Sequence, residues 1–234
     1  MTSIRPLLLL ALFASMIFAS ISSAQEEEEQ KEINGPAFTA IALGSLPYEK
    51  IYYRKGEELI SIELFRNSRS DPYSLDRSSE YLELYTDHQD TEQDAENEYK
   101  LIGKAPLVQG TKKMLYFLRS QSVGKEGALA VALFGIDDSQ EKFPKSSYRF
   151  INFVNAPLVI DFNRKRFLVK PGKPTVKKLN LSKAGAFTPF VVRSSKGKIL
   201  SGTRLFSDAG SREMVLIFPP KKGKKRLDIR YFSD

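Results

Sequence analysis

From residue 37 onward, turn-forming clusters cut the chain roughly every ten residues, and the runs between them are too short for helices. "AFTAIAL" (Ala37–Leu43) is apolar and bounded by Gly44 and Pro47. "ELISIELF" (Glu58–Phe65) and "EYLELY" (Glu80–Tyr85) alternate apolar with charged residues. "KMLYFL" (Lys113–Leu118) and "ALAVALFGI" (Ala128–Ile136) are apolar enough to lie centrally in a sheet. "SYRFINFV" (Ser147–Val154) reads as a strand. Three hairpins follow: "PLVIDF" and "RFLVK" across Asn163-Arg164-Lys165, "FVVRS" and "KILSGTRLF" across Ser195-Lys196-Gly197, and "MVLIF" and "RLDIRYF" across residues 219–225. In the last strand Leu227, Ile229 and Tyr231 share one face, and Asp228, Arg230 and Phe232 the other. Residues 66–79 carry loop chemistry, and residues 87–98 form a polar acidic connector. Helical periodicity is almost absent. The expected fold is all-β: two Ig-like β-sandwich domains over residues 37–144 and 145–234, with one larger sandwich as the alternative. No internal sequence repeat is evident.

The amino terminus reads as an export signal. Arg5 precedes an apolar run of 15 residues, Leu7 to Ile21, and Ser22-Ser23-Ala24 offers the small residues of a cleavage site. Such a run falls short of the roughly 20 residues that span a bilayer. Residues 1–24 are therefore expected to be removed, residues 25–36 to form an acidic flexible leader, and the product to be periplasmic or extracellular and not integral to a membrane. The chain has no cysteine, which excludes disulfides, thiolate metal sites and cysteine nucleophiles. Stability must come from buried apolar surface.

Charge is divided unevenly. Residues 25–100 hold 8 basic and 19 acidic side chains, whereas residues 101–234 hold 27 basic and 9 acidic. The basic part suits an anionic polymer or an acidic envelope protein. Two clusters are candidates for anion binding: Arg164, Lys165 and Arg166 with the nearby Lys170, Lys173, Lys177 and Lys178, and Lys221, Lys222, Lys224, Lys225 and Arg226 around Gly223. The competing reading is that lysines keep turns and strand edges soluble. Aromatics or glycines at nucleic-acid-binding spacings are not evident.

Reaction chemistry has thin support. His88 is the single histidine, in the polar stretch "YTDHQD", and no G-x-S-x-G elbow accompanies it. Asp90, Glu92, Asp94, Glu96 and Glu98 alternate as calcium ligands do, but Ala95 stands where the turn needs glycine and Leu101 where the last carboxylate belongs. Glu63, Glu80, Glu83 and Asp161 lie in or beside strands and could supply a hydrolytic carboxylate pair. No cofactor or metal site is expected. Asn180-Leu181-Ser182 is a glycosylation sequon, meaningful only in a eukaryotic secretory host.

Phe143-Pro144, Phe150-Ile151-Asn152-Phe153 and Pro171-Gly172, with "ALFGIDDS" upstream, resemble a pattern in a family of exported bacterial β-sandwich proteins that have no assigned function. The resemblance implies a sandwich and export, and supplies no site residues. A more distant similarity is to periplasmic assembly chaperones with paired Ig-like domains. That would call for a basic anchor in the interdomain cleft, near which Lys145 and Arg149 fall. The sequence points to a non-enzymatic binding or scaffolding module at the cell envelope with an anionic partner. The alternatives are a chaperone-like β module that lends an edge strand to a client, and a carboxylate-dependent hydrolase.

Overall fold

The computed structural model describes residues 33, 35–76, 78–87, 99–121, 129–178, 185–207 and 210–233. The export signal, most of the leader, His88, the alternating acids at 90–98 and the sequon lie outside the described residues.

Sixteen strands, and no helix, occur among the described residues. The first eight are β1 (Ala37–Ala42), β2 (Ile51–Lys55), β3 (Glu58–Ile62), β4 (Tyr73–Ser74), β5 (Tyr81–Asp87), β6 (Tyr99–Pro106), β7 (Lys113–Ser120) and β8 (Val131–Asp137). The second eight are β9 (Ser147–Asn152), β10 (Leu158–Phe162), β11 (Lys165–Val169), β12 (Thr175–Lys178), β13 (Ala186–Ser194), β14 (Ile199–Ser207), β15 (Arg212–Phe218) and β16 (Asp228–Ser233). They form four sheets of four strands, arranged as two sandwiches. The all-β expectation is met.

The two sandwiches repeat one topology. In the first, the sheets run β4-β1-β7-β8 and β3-β2-β5-β6; in the second, β12-β9-β15-β16 and β11-β10-β13-β14. Each strand of the second occupies the place of the strand eight earlier. Each half also holds one parallel pair, β1 with β7 and β9 with β15, among otherwise antiparallel neighbours.

Residue pattern dictates which sheet lies inside. β7 and β15 read "KMLYFLRS" and "REMVLIF", with apolar residues at consecutive positions, which suits strands covered on both faces. Met114, Tyr116 and Leu118 turn into the first sandwich core, with Phe38 and Leu84. Val215 and Ile217 turn into the second, with Phe150 and Phe190. The intervening residues form a third core, where Ile41, Leu115 and Phe117 meet Phe143, Ile151 and Leu216. The layers therefore run outer, inner, inner, outer. Outer strands alternate instead: in β10, Leu158, Ile160 and Phe162 are buried while Val159 and Asp161 turn outward.

Four strands went unread in the sequence. β2 and β6 are broken by charged residues and Gly103; β4 is only two residues long and sits inside the expected loop; β12 is half lysine. The β10–β11 hairpin is also tighter than expected. Asn163 and Arg164 alone form the turn, with φ of 49° and 58°, and Lys165 already pairs with Phe162. Two successive positive φ values fit the two-residue turn whose twist matches the flanking strands.

A charged hub links the two sandwiches beside the third core. Asp138, just after β8, accepts from Arg69 at 2.8 Å and from the buried Arg149 at 3.1 Å. Arg212 donates to the Asp138 carbonyl at 3.0 Å. The Arg149 guanidinium also lies 4.1 Å from the centre of the Phe143 ring. Burial lowers its pKa to about 10, against the opposing pull of Asp138. Residues 35–234 form one compact unit.

Candidate binding surface of the second sandwich

Strand direction gathers lysines from three loops at one pole of the second sandwich. β9 and β15 run in parallel and end there, at Asn152 and Phe218. Asn152 donates through its side-chain amide to Val169 O at 3.1 Å, and its carbonyl accepts from Gly172 N, which fixes the β11–β12 turn beside it. Val169 pairs with Leu158, and Leu158 with Ser194, so the β13–β14 hairpin emerges at the same end. The β15–β16 loop leaves from Phe218. This pole therefore carries Lys170 and Lys173, Lys196 and Lys198, and Lys221, Lys222, Lys224, Lys225 and Arg226. All nine are exposed, and no acid occurs in these three loops. The nearest carboxylate partner is Asp228 at the start of β16, 3.5 Å from Lys221. Gly223, at φ 77°, and the bond from Lys224 N to Lys221 O shape the loop tip.

The other basic candidates are not part of this pole. Arg164 and Lys165 project from the far end of β10, a strand length away, near Tyr148 and Phe162. Arg166 is engaged by Asp161, at 2.5 Å and 3.1 Å, and Arg193 shares that carboxylate at 2.6 Å. These bonds hold the Asp161 pKa at about 2. Lys177 lies 4.9 Å from the Phe167 ring centre on the β11–β12 side. Lys170 and Lys173 thus separate from Arg164–Arg166 and join the distant Lys221–Arg226 loop. Lys196 and Lys198 were not singled out in the sequence, because they sit in an ordinary-looking hairpin.

Beside the pole runs a cleft of about 550 Å³ between β14 and β16, the last strands of their sheets. Leu205, Leu227 and Ile229 line it, with Ser201, Thr203 and Asp228 among its polar residues. One end is bridged where the Tyr231 hydroxyl donates to Phe206 O at 2.7 Å. Burial and then the Glu213 carboxylate raise the Tyr231 pKa, so the phenol stays a donor. The other end, at Ser201 and Leu227, lies toward the lysine loops. Phe187 and Phe206 form an exposed edge-to-face pair at 5.3 Å beside the cleft.

The candidate carboxylates for hydrolysis are dispersed. Glu83 pairs with Lys104 at 3.0 Å and accepts from the Tyr85 hydroxyl at 2.7 Å, which lowers its pKa. Asp161 lies on the other sandwich. Glu80 borders a mixed cavity of about 800 Å³ at the end of the first sandwich, together with Asp76, Pro106, Leu107 and Lys112. Asp76 is committed to the chain itself: Ser78 N and Oγ donate to one oxygen, and Gly56 N to the other. Among the described residues no cluster of three metal-ligating side chains occurs, and no helix is long and apolar enough to cross a membrane. Compared with known proteins, the chain matches no family model and no curated sequence.

Proposed function

We propose that this chain is an exported, non-catalytic binding module that engages an anionic partner at the cell envelope through the lysine pole of its second sandwich. The carrying observation is the convergence of nine cations from three loops, without an intervening acid. Charges held close together on a rigid scaffold add their fields at an approaching polyanion, and each contact releases counterions. At physiological salt the field reaches about 8 Å, so recognition is short-range and depends on ionic strength. The opposite pole supports the same reading by contrast, since Arg166 there is already neutralised by Asp161.

Retention on a heparin matrix tests this. The wild-type chain is expected to bind at low salt and elute as salt rises. The variant K221E/K222E/K224E/K225E is expected to lose retention, whereas R164E/K165E elutes close to wild type. Co-elution of the loop variant with the wild type would overturn the assignment.

A further inference from the structure

The same strand positions are closed in one sandwich and open in the other. In the first, β6 lies against β8 so tightly that a Cβ on Gly103 would come within 2.4 Å of Leu133 Cδ1 and 3.1 Å of Val131 O. In the second, β14 and β16 border a cleft lined by Ser201, Thr203 and Leu205, whose β13 partners Val192, Phe190 and Thr188 are buried. Among the described residues each bordering strand ends its sheet without a further neighbour; β14 and β16 carry no proline or lysine, and their charged residues are Arg204, Asp228 and Arg230. The cleft is mixed, with Leu205, Leu227 and Ile229 beside Ser201, Thr203, Arg204 and Asp228, and it is bridged at Tyr231 and Phe206.

We propose that this cleft takes up an extended polypeptide segment, whose apolar residues enter it beside β14 and whose acidic residues lie on the lysine pole. The inference rests on reading the pole as a recognition surface, and it names the partner class. Alternating side chains suit a strand added to an edge, where main-chain bonds supply affinity and the cleft supplies selectivity. The charge gradient sets the direction: an acid-rich end fits only at the mouth, beside Lys196 and Lys221–Arg226.

The probe is a labelled synthetic peptide of alternating valine and threonine ending in a run of glutamates. Its comparison peptide has the same glutamates behind glycine and serine. Binding is read by fluorescence anisotropy on the full chain. The alternating peptide is expected to bind at least about tenfold more tightly than its comparison. Thr203→Arg places a long side chain in the cleft from an exposed position. It is expected to erase that advantage while leaving the comparison peptide's affinity and the unfolding midpoint unchanged. Phe187→Ser, at an exposed ring, provides a second variant with an expected partial loss. If wild type binds both peptides equally, the cleft assignment fails and the pole reading stands. If neither peptide binds, both fail. Concentration-dependent self-association of the wild type that Thr203→Arg abolishes would assign the cleft to a second copy and overturn the proposal.

Discussion

In the first sandwich Gly103 lets β6 settle onto β8, and the outer sheet presents tyrosines capped by cations: Arg54 lies 4.7 Å from the Tyr85 ring centre and Lys104 4.0 Å from that of Tyr81. In the second sandwich the matching edge gapes, and one set of loops holds cations with few local counter-charges. Strand order is identical in the two, so topology does not distinguish them. The contrast resides in what the topology leaves variable: loop charge, and the side chains at one sandwich edge. A duplicated scaffold thus supplies its own reference, against which departures in the second half stand out.

The largest expected effect concerns what joins the halves. Asp138 meets arginines from both, and Arg149 is nearly inaccessible. Asp138→Ala removes the carboxylate that pairs with the buried Arg149, leaving its guanidinium the Asp137 carbonyl at 2.8 Å, and is expected to cost about 3–5 kcal/mol in urea unfolding. A loss below about 1 kcal/mol would mean that the third apolar core joins the sandwiches unaided.

The edges themselves provide the next test. Gly103→Ala forces Leu133 and the β8 backbone to yield, and is expected to destabilise by about 1–3 kcal/mol. Gly202 faces the outer side of its sheet, where a Cβ has room, and Gly202→Ala is expected to stay within about 0.5 kcal/mol of wild type. A loss below about 0.5 kcal/mol for Gly103→Ala, measured by thermal unfolding, would show that β6 and β8 are not tightly closed.

The smallest effect is a pH dependence on the outer face of the second sandwich. The Asp161 pKa is held at about 2 by Arg166 and Arg193, below the roughly 3.9 of an unfolded aspartate. Its stabilisation is therefore complete above about pH 4 and fades as pH falls toward about 2. In Asp161→Asn that portion of the acid-unfolding curve is expected to flatten. An unchanged curve would show that the pairing does not contribute.

The parts of this fold that were legible in the sequence are those where burial writes a plain pattern. "KMLYFL", "SYRFINFV" and "MVLIF" announce strands because the inner sheets are covered on both sides. β4 and β12 do not, being short and polar at sheet edges, where pairing geometry rather than apolar content makes the strand. The repeat is hidden for a related reason. The second residue of β1, Phe38, pairs with Met114, while the second residue of β9, Tyr148, pairs with Glu213. Register is conserved between the halves though residue type is not. The hub was only partly legible: Arg149 fell near the expected junction, but it becomes distinctive only when Asp138 and Phe143 are brought to it. Half of the candidate surface was legible. Lys221–Arg226 are adjacent in the chain, but their union with Lys170, Lys173, Lys196 and Lys198 depends on strand directions that lysine spacing does not encode.

The proposed function places recognition at one pole of the second sandwich. Amide hydrogen exchange, with and without a heparin oligosaccharide at low salt, tests it most directly. Protection is expected in residues 170–173, 195–198 and 221–226, with none on the outer sheet of the first sandwich. Protection centred on residues 163–166 or on β5 and β6, with the three loops unchanged, would contradict it.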